Sequence, residues 1–184
     1  MTKKYNWKKF KKALIEIRPS KILKGEIGVF AIRNLKKGTI IGESKCFDEN
    51  LFFSWKDYKK IDKKSKKVIQ KYCTATADGF YSPSNINYIS IPWNLNHSCE
   101  GNSGFDSRGN LITIRDIKSN EELCYDYGLV ISNPSFKMRC KCGSPNCRKI
   151  VNGSIWKNVF YRKANFNFMA PELRKLVKEK INEK

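Results

Sequence analysis

Apolar residues recur along this chain with two different periods, and the changes of period divide it into segments. Trp7, Phe10, Leu14 and Ile17 lie three and four residues apart with lysines between them, which predicts an amphipathic helix stopped by Pro19. Lys8, Lys9, Lys11 and Lys12 would cover its outer surface. From Ile22 to Ile41 the pattern reads as β-structure: an apolar run from Ile27 to Ile32, a turn over Asn34 to Gly38, then Thr39-Ile40-Ile41. Leu51 to Cys73 is lysine-rich, with apolar positions at Ile61, Val68, Ile69 and Tyr72, and predicts one or two short helices. Short strands are expected over Tyr88–Ile91, Leu111–Ile114 and Leu123–Tyr125, with a hairpin turn from Asp106 through Gly109. Pro171, Leu173, Leu176, Val177 and Ile181 give a closing amphipathic helix with proline near its first position. Many short strands with peripheral helices, rather than alternating β-α units, predict a mostly β fold that is α+β overall.

Composition narrows the class. The 184 residues suit one domain with small appendages, and 40% hydrophobic with 12% aromatic residues imply a globular chain. No apolar run reaches membrane-spanning length, and Met1 to Phe10 lacks the apolar stretch of a signal peptide, so an intracellular, soluble protein without a membrane partner is expected. The net charge is +20, from 37 Lys plus Arg against 17 Asp plus Glu. That excess favours acidic partners, including non-specific contact with nucleic acid, and is equally compatible with a merely solvated lysine-rich surface. No nucleic-acid-binding motif accompanies it.

Three motifs carry chemistry: Asn96-His97-Ser98-Cys99, Tyr125-Asp126-Tyr127, and Cys140-Lys-Cys142-x4-Cys147. Thiolates at the last spacing can take three corners of a zinc tetrahedron, with Gly143, Ser144 and Pro145 making the tight loop. The fourth ligand would come from Cys46, Cys73, Cys99, Cys124 or His97; of these, Cys46, Cys73 and Cys124 sit in apolar or strand-like surroundings that suit core thiols. Seven cysteines in such a chain fit metal binding plus reduced thiols better than a disulfide framework. His97 is the only histidine, which excludes any two-histidine metal site.

The order and spacing of these motifs resemble a SET-domain protein-lysine methyltransferase with a trailing post-SET zinc module, over roughly residues 20 to 152. Gly25-Glu26-Ile27-Gly28-Val29-Phe30-Ala31, Asn34 to Glu43 and Asp116 to Tyr127 look like further family segments. The resemblance implies a β-clip SET fold with a pseudoknot. It implies a SET domain over 19–128 with a helical insert at about 51–73 and a post-SET zinc module over 129–152; outside the resemblance, periodicity adds an N-terminal amphipathic helix over 1–18 and a helical extension over 153–184. It implies S-adenosylmethionine as cofactor, with Ile27, Gly28, Val29, Asn96 and His97 against it. Tyr127 takes the place of the catalytic tyrosine, and Tyr125 that of the residue limiting methyl number, which points to mono- or dimethylation. Cys99 would complete one structural zinc with Cys140, Cys142 and Cys147. The implied partner is a protein carrying a target lysine, such as a histone or nucleosome. The implied location is the nucleus, or a host nucleus for a secreted bacterial protein. Glu26 stands where the family has a glycine, and Lys149-Ile150-Val151 lacks the aromatic that covers the cofactor, a place left to Trp156 or Phe160. Two other readings are a catalytically degenerate SET domain that binds chromatin and a basic zinc module that binds nucleic acid.

Overall fold

The protein is described here by a computed structural model covering residues 12–44, 50–83, 85–87 and 89–182. In chain order its strands are β1 (Ile15–Pro19), β2 (Ile27–Ala31), β3 (Ile40–Gly42), β4 (Asn50–Ser54), β5 (Thr74–Ala75), β6 (Gly79–Pro83), β7 (Asn96–His97), β8 (Ser103–Phe105), β9 (Leu111–Thr113), β10 (Glu122–Tyr125), β11 (Lys137–Arg139) and β12 (Ile150–Asn152). The α-helices are α1 (Trp55–Lys60), α2 (Lys63–Tyr72), α3 (Val159–Asn165) and α4 (Pro171–Asn182). The mostly β, α+β architecture expected from the sequence is the one observed.

The main sheet has the order β1-β2-β10-β8-β9-β3, with β7 also on β10. β10 is its pivot: it runs antiparallel to β2 but parallel to β7 and β8. Because it is paired on both sides, β10 reads as a nearly continuous buried run, Glu122 to Cys124. Val29, Ala31, Leu95, Leu111 and Leu123 close the core behind it. The buried Asn102 locks the pivot, donating from Nδ2 to the Glu122 carbonyl (2.9 Å) and accepting the Cys124 N–H (2.9 Å).

Two expectations are corrected. Leu14 and Ile17 do not belong to a helix: Ile15–Pro19 is an edge strand, in register from Ile15 opposite Ala31 to Pro19 opposite Ile27. The alternation Ile15-Glu16-Ile17-Arg18 has period two, and an edge strand tolerates a proline that cannot donate to a ladder. Arg18 caps the outcome by lying 4.3 Å over the Phe30 ring. Trp7 and Phe10, on which the helical pattern also rested, lie outside the described residues, as do Cys46 and Tyr88. The strand expected at Tyr88–Ile91 gives way to a 3₁₀ turn, Ile91–Asn94, started by Pro92.

The lysine-rich segment forms both α1 and α2. The Ser54 hydroxyl caps α1 through the Asp57 N–H, and the Asp62 carboxylate caps α2 through the Lys64 and Ser65 N–H groups. A second small sheet, β4-β6-β5, carries this insert. At the C-terminal end Leu173 and Val177 of α4 bury against Leu129, Trp156 and Met169 in a separate apolar cluster. No helix among the described residues is long and apolar enough to cross a membrane.

Candidate active site and metal centre

The end of β10 delivers two tyrosines to one place. The Tyr125 and Tyr127 ring centroids are 5.1 Å apart, and Tyr127 lies 5.2 Å from His97. The Tyr127 hydroxyl donates to the Leu95 carbonyl (3.2 Å). Burial pushes the Tyr127 phenol up to about 12, with the neighbouring Cys124 adding to the rise. Burial also raises the Tyr125 phenol, helped by Tyr127 and Asp126. Both hydroxyls therefore stay protonated and can donate hydrogen bonds at neutral pH.

Between the tyrosines stands Asp126, whose buried carboxylate is fully engaged. It accepts both guanidinium arms of Arg148 at 2.6 Å, the Tyr161 hydroxyl at 2.9 Å and the Gly128 N–H at 2.9 Å. His97 Nδ1 accepts the Tyr127 N–H (3.1 Å), so the imidazole proton belongs on Nε2, facing the Cys99 sulfur 3.4 Å away. Burial lowers the His97 pKa to about 4, against the pull of Asp126 and with the help of Arg148, so the ring is neutral. Sequence reasoning missed Asp126, Arg148 and Tyr161. The only signal was an acid flanked by two tyrosines and an arginine directly after Cys147; nothing local shows that they meet.

The metal-ligand expectation converges in space. The sulfurs of Cys99, Cys140, Cys142 and Cys147 all lie within 4.8 Å of one another. Cys99 and Cys140 are 3.8 Å apart, the edge of a tetrahedron whose centre lies about 2.3 Å from each sulfur. The β11–β12 hairpin frames three of these cysteines, and the Cys140 N–H donates to the Lys149 carbonyl (2.8 Å). Gly143, at φ 71°, makes the turn that the ring of sulfurs requires. Burial works against the Cys142 thiolate, yet backbone N–H groups of Cys99 and Ser144 hold its pKa down to about 6. The donor set, four converging thiols with amide donors around them, fits a structural zinc ion. Cys73 and Cys124 lie elsewhere, and burial raises both of their pKa values, as for ordinary core thiols.

On the other side of the tyrosines, Asn96 gathers three segments. Its Nδ2 donates to the Ile27 carbonyl (2.8 Å), Glu122 Oε1 (3.0 Å) and Ser20 Oγ (3.2 Å). Glu122, also missed from sequence, accepts the Ser20 hydroxyl (2.8 Å) and the Lys21 N–H (2.7 Å), and so folds the loop after β1. Gly28 lies directly against the Glu122 carboxylate, where any Cβ would collide. Ile27 is partly exposed, whereas the Val29 side chain is wholly buried in the core and can offer only backbone. Glu26 turns outward to Lys71 (2.8 Å), and Gly25, at φ 85°, takes the turn. Trp156 is 7% exposed within the C-terminal apolar cluster and does not form an open lid; Phe160 is 84% exposed.

A cleft of about 590 Å³ opens over Tyr125, walled by Phe105, Trp93, Tyr81, Phe52 and, from α4, Leu173. Phe105 meets Tyr125 edge-on at 6.0 Å.

A family model described as the SET domain matches residues 26–128, more than half of the chain. The chain belongs to the SET domain family. It is 39% identical over 66 residues to the histone-lysine N-methyltransferase ash1 of Drosophila melanogaster, covering 32% of this chain and 3% of that protein. It is 30% identical over 154 residues to the variant-silencing SET domain-containing protein of Plasmodium falciparum (isolate 3D7), covering 75% of this chain and 6% of that protein. The chain thus spans a small fraction of the curated relatives it matches. Among solved structures, an apo PRC2 complex mutated in Ezh2 is similar at 20% identity and TM-score 0.43, over 62% of this chain and 15% of that one.

Proposed function

We propose that this chain is an S-adenosylmethionine-dependent protein-lysine N-methyltransferase acting on a histone or another chromatin protein. The observation that carries the reading is the pairing of Tyr125 and Tyr127 at 5.1 Å, between a neutral His97 and an aromatic cleft. Ile27, Gly28 and the Asn96–His97 segment would hold the cofactor, largely through backbone; the Asn96 amide, tying Ile27 to Glu122, makes them one surface. When bound, the cofactor supplies an electrophilic methyl group.

The residues of the chain then have defined work. The cleft strips water from the lysine side chain, which favours the neutral amine that can attack. The phenol oxygens of Tyr125 and Tyr127 would accept N–H bonds from that amine and so aim its free lone pair at the methyl, the Tyr127 O–H being given to the Leu95 carbonyl; in-line methyl transfer needs alignment more than acid-base power. Cys99, Cys140, Cys142 and Cys147 would hold one zinc, fixing the C-terminal segment against His97.

The test is labelled methyl transfer to core histones, nucleosomes and a cell lysate, comparing wild type with Tyr127→Phe. A fall of about 10²-fold or more is expected for loss of a positioning hydroxyl at the reacting atoms. Cofactor binding without Tyr127-dependent labelling of any acceptor would replace this reading with that of a non-catalytic chromatin-binding SET domain.

A further inference from the structure

Between Trp55 and Lys71 the chain carries eight lysines, two aspartates and no arginine. Both aspartates are committed to the helices: Asp57 to the Ser54 cap and to Lys60 (2.8 Å), Asp62 to the N-terminal amides of α2. Lys66 reaches back to the Lys59 carbonyl (2.8 Å) and lies over the Tyr58 ring, and Lys71 pairs with Glu26. Lys59, Lys63, Lys64 and Lys67 remain exposed, with no described carboxylate in ion-pairing range. Like charges four apart, as at Lys63, Lys67 and Lys71, cost a helix about 0.2–0.5 kcal/mol per pair. Glu26 offsets Lys71 at one end of that row, and Lys63 and Lys67 have no ion pair among the described residues.

We propose that the exposed lysine face of α1 and α2 is a sequence-independent binding surface for the phosphate backbone of duplex nucleic acid. From Lys63 to Lys71 the stripe is about 12 Å long at the helical rise, and a duplex presents about seven phosphates over that axial length. Lysine is a point charge suited to phosphate rather than to the bidentate reading of base edges, so no sequence preference follows. The face is unlike a protein interface, which is depleted in lysine and anchored by buried aromatic residues.

Its position is also fixed. The Trp55 Nε1–H donates to the Ala77 carbonyl (2.9 Å), and Phe52, Thr74, Ala77 and Asp78 of the same unit wall the cleft over Tyr125. Nucleic acid held on the insert therefore lies beside the cleft, which suits a substrate that is itself bound to nucleic acid. The binding surface stands independently of the methyl-transfer reading.

The test uses the full chain and a labelled DNA duplex of random sequence, titrated by anisotropy between about 50 and 200 mM salt. The quadruple variant Lys59→Gln, Lys63→Gln, Lys64→Gln, Lys67→Gln should bind at least tenfold more weakly, its log K against log salt slope shallower by about 3–4. A charge-matched variant, Lys12→Gln, Lys24→Gln, Lys118→Gln, Lys137→Gln, should lose far less, and arginine at the first four positions should restore binding. Equal losses in the two glutamine variants would overturn the proposal, as would no duplex binding by wild type at the lowest salt. Displacement of the duplex by polyglutamate at equal charge would assign the face to an acidic protein instead. Methyl transfer to a short free peptide should be unchanged in the insert variant, which keeps failure of this proposal distinct from failure of the catalytic one.

Discussion

Arg148 and Asp126 form a two-pronged ion pair, both arms at 2.6 Å, with Asp126 buried and Arg148 largely so. Arg148 follows Cys147 directly, and Asp126 separates Tyr125 from Tyr127. The pair therefore joins the cysteine cluster to the tyrosines across 22 residues of sequence, and Tyr161 of α3 completes it with a third donor.

Arg148→Met should destabilise the protein by about 3 kcal/mol, because it leaves a buried carboxylate without its counter-charge. Tyr161→Phe removes one neutral donor and should cost about 1 kcal/mol. Urea midpoints at pH 7 measure both. An additive double variant would show that the three groups do not act as a network.

Cys99→Ser should lower bound zinc and the melting temperature together, since the fourth sulfur ties the β11–β12 hairpin to the loop after β7. Elemental analysis alongside thermal melts checks this, and a chelator should shift wild type toward the variant. Zinc retained at full affinity in the variant would remove Cys99 from the ligand set.

Tyr125→Phe should move the product toward higher methylation. On the proposed reading its hydroxyl would hold a water beside the amine, and removing it would leave room for further methyl groups. Mass spectrometry of the modified peptide reads the distribution; an unchanged product would deny Tyr125 this role.

Alkaline titration should show Tyr125, Tyr127 and Tyr161 still protonated at pH 11, since burial raises all three phenols. Their folded pKa values exceed the unfolded value near 10, so the stability they contribute is present below pH 10 and lost as pH rises toward 12. Phenolate absorbance and urea midpoints between pH 9 and 12 follow the two effects. Activity should then have no tyrosine-ionisation limb below about pH 11.

Much of the site was legible because its parts are local patterns. The C-x-C-x4-C spacing is one that a turn around a metal ion would need, and the two tyrosines flank one residue at a strand end. The helices of the insert were also legible, through apolar positions at Ile61, Val68, Ile69 and Tyr72 in a lysine-rich stretch; their caps at Ser54 and Asp62 were seen only in the structure. The fate of Ile15–Pro19 was not. Its apolar spacing fits a three- and four-residue rhythm as well as a two-residue one, and only pairing with β2 decided between them. Trp156 was likewise drawn into the C-terminal core by Met169, Leu173 and Val177, which a single aromatic in sequence does not announce.

By itself the sequence determined the ligand chemistry, the order of the motifs and the strong positive charge, since these depend on residue type and spacing alone. Tertiary structure decided which distant residues share a site. Glu122 meets Asn96 because β10 pairs with β7, while Cys99 meets Cys140 and Arg148 meets Asp126 because the separate β11–β12 hairpin folds back against the end of β10. Long-range pairing brings such groups within 4 Å, and no local period encodes it.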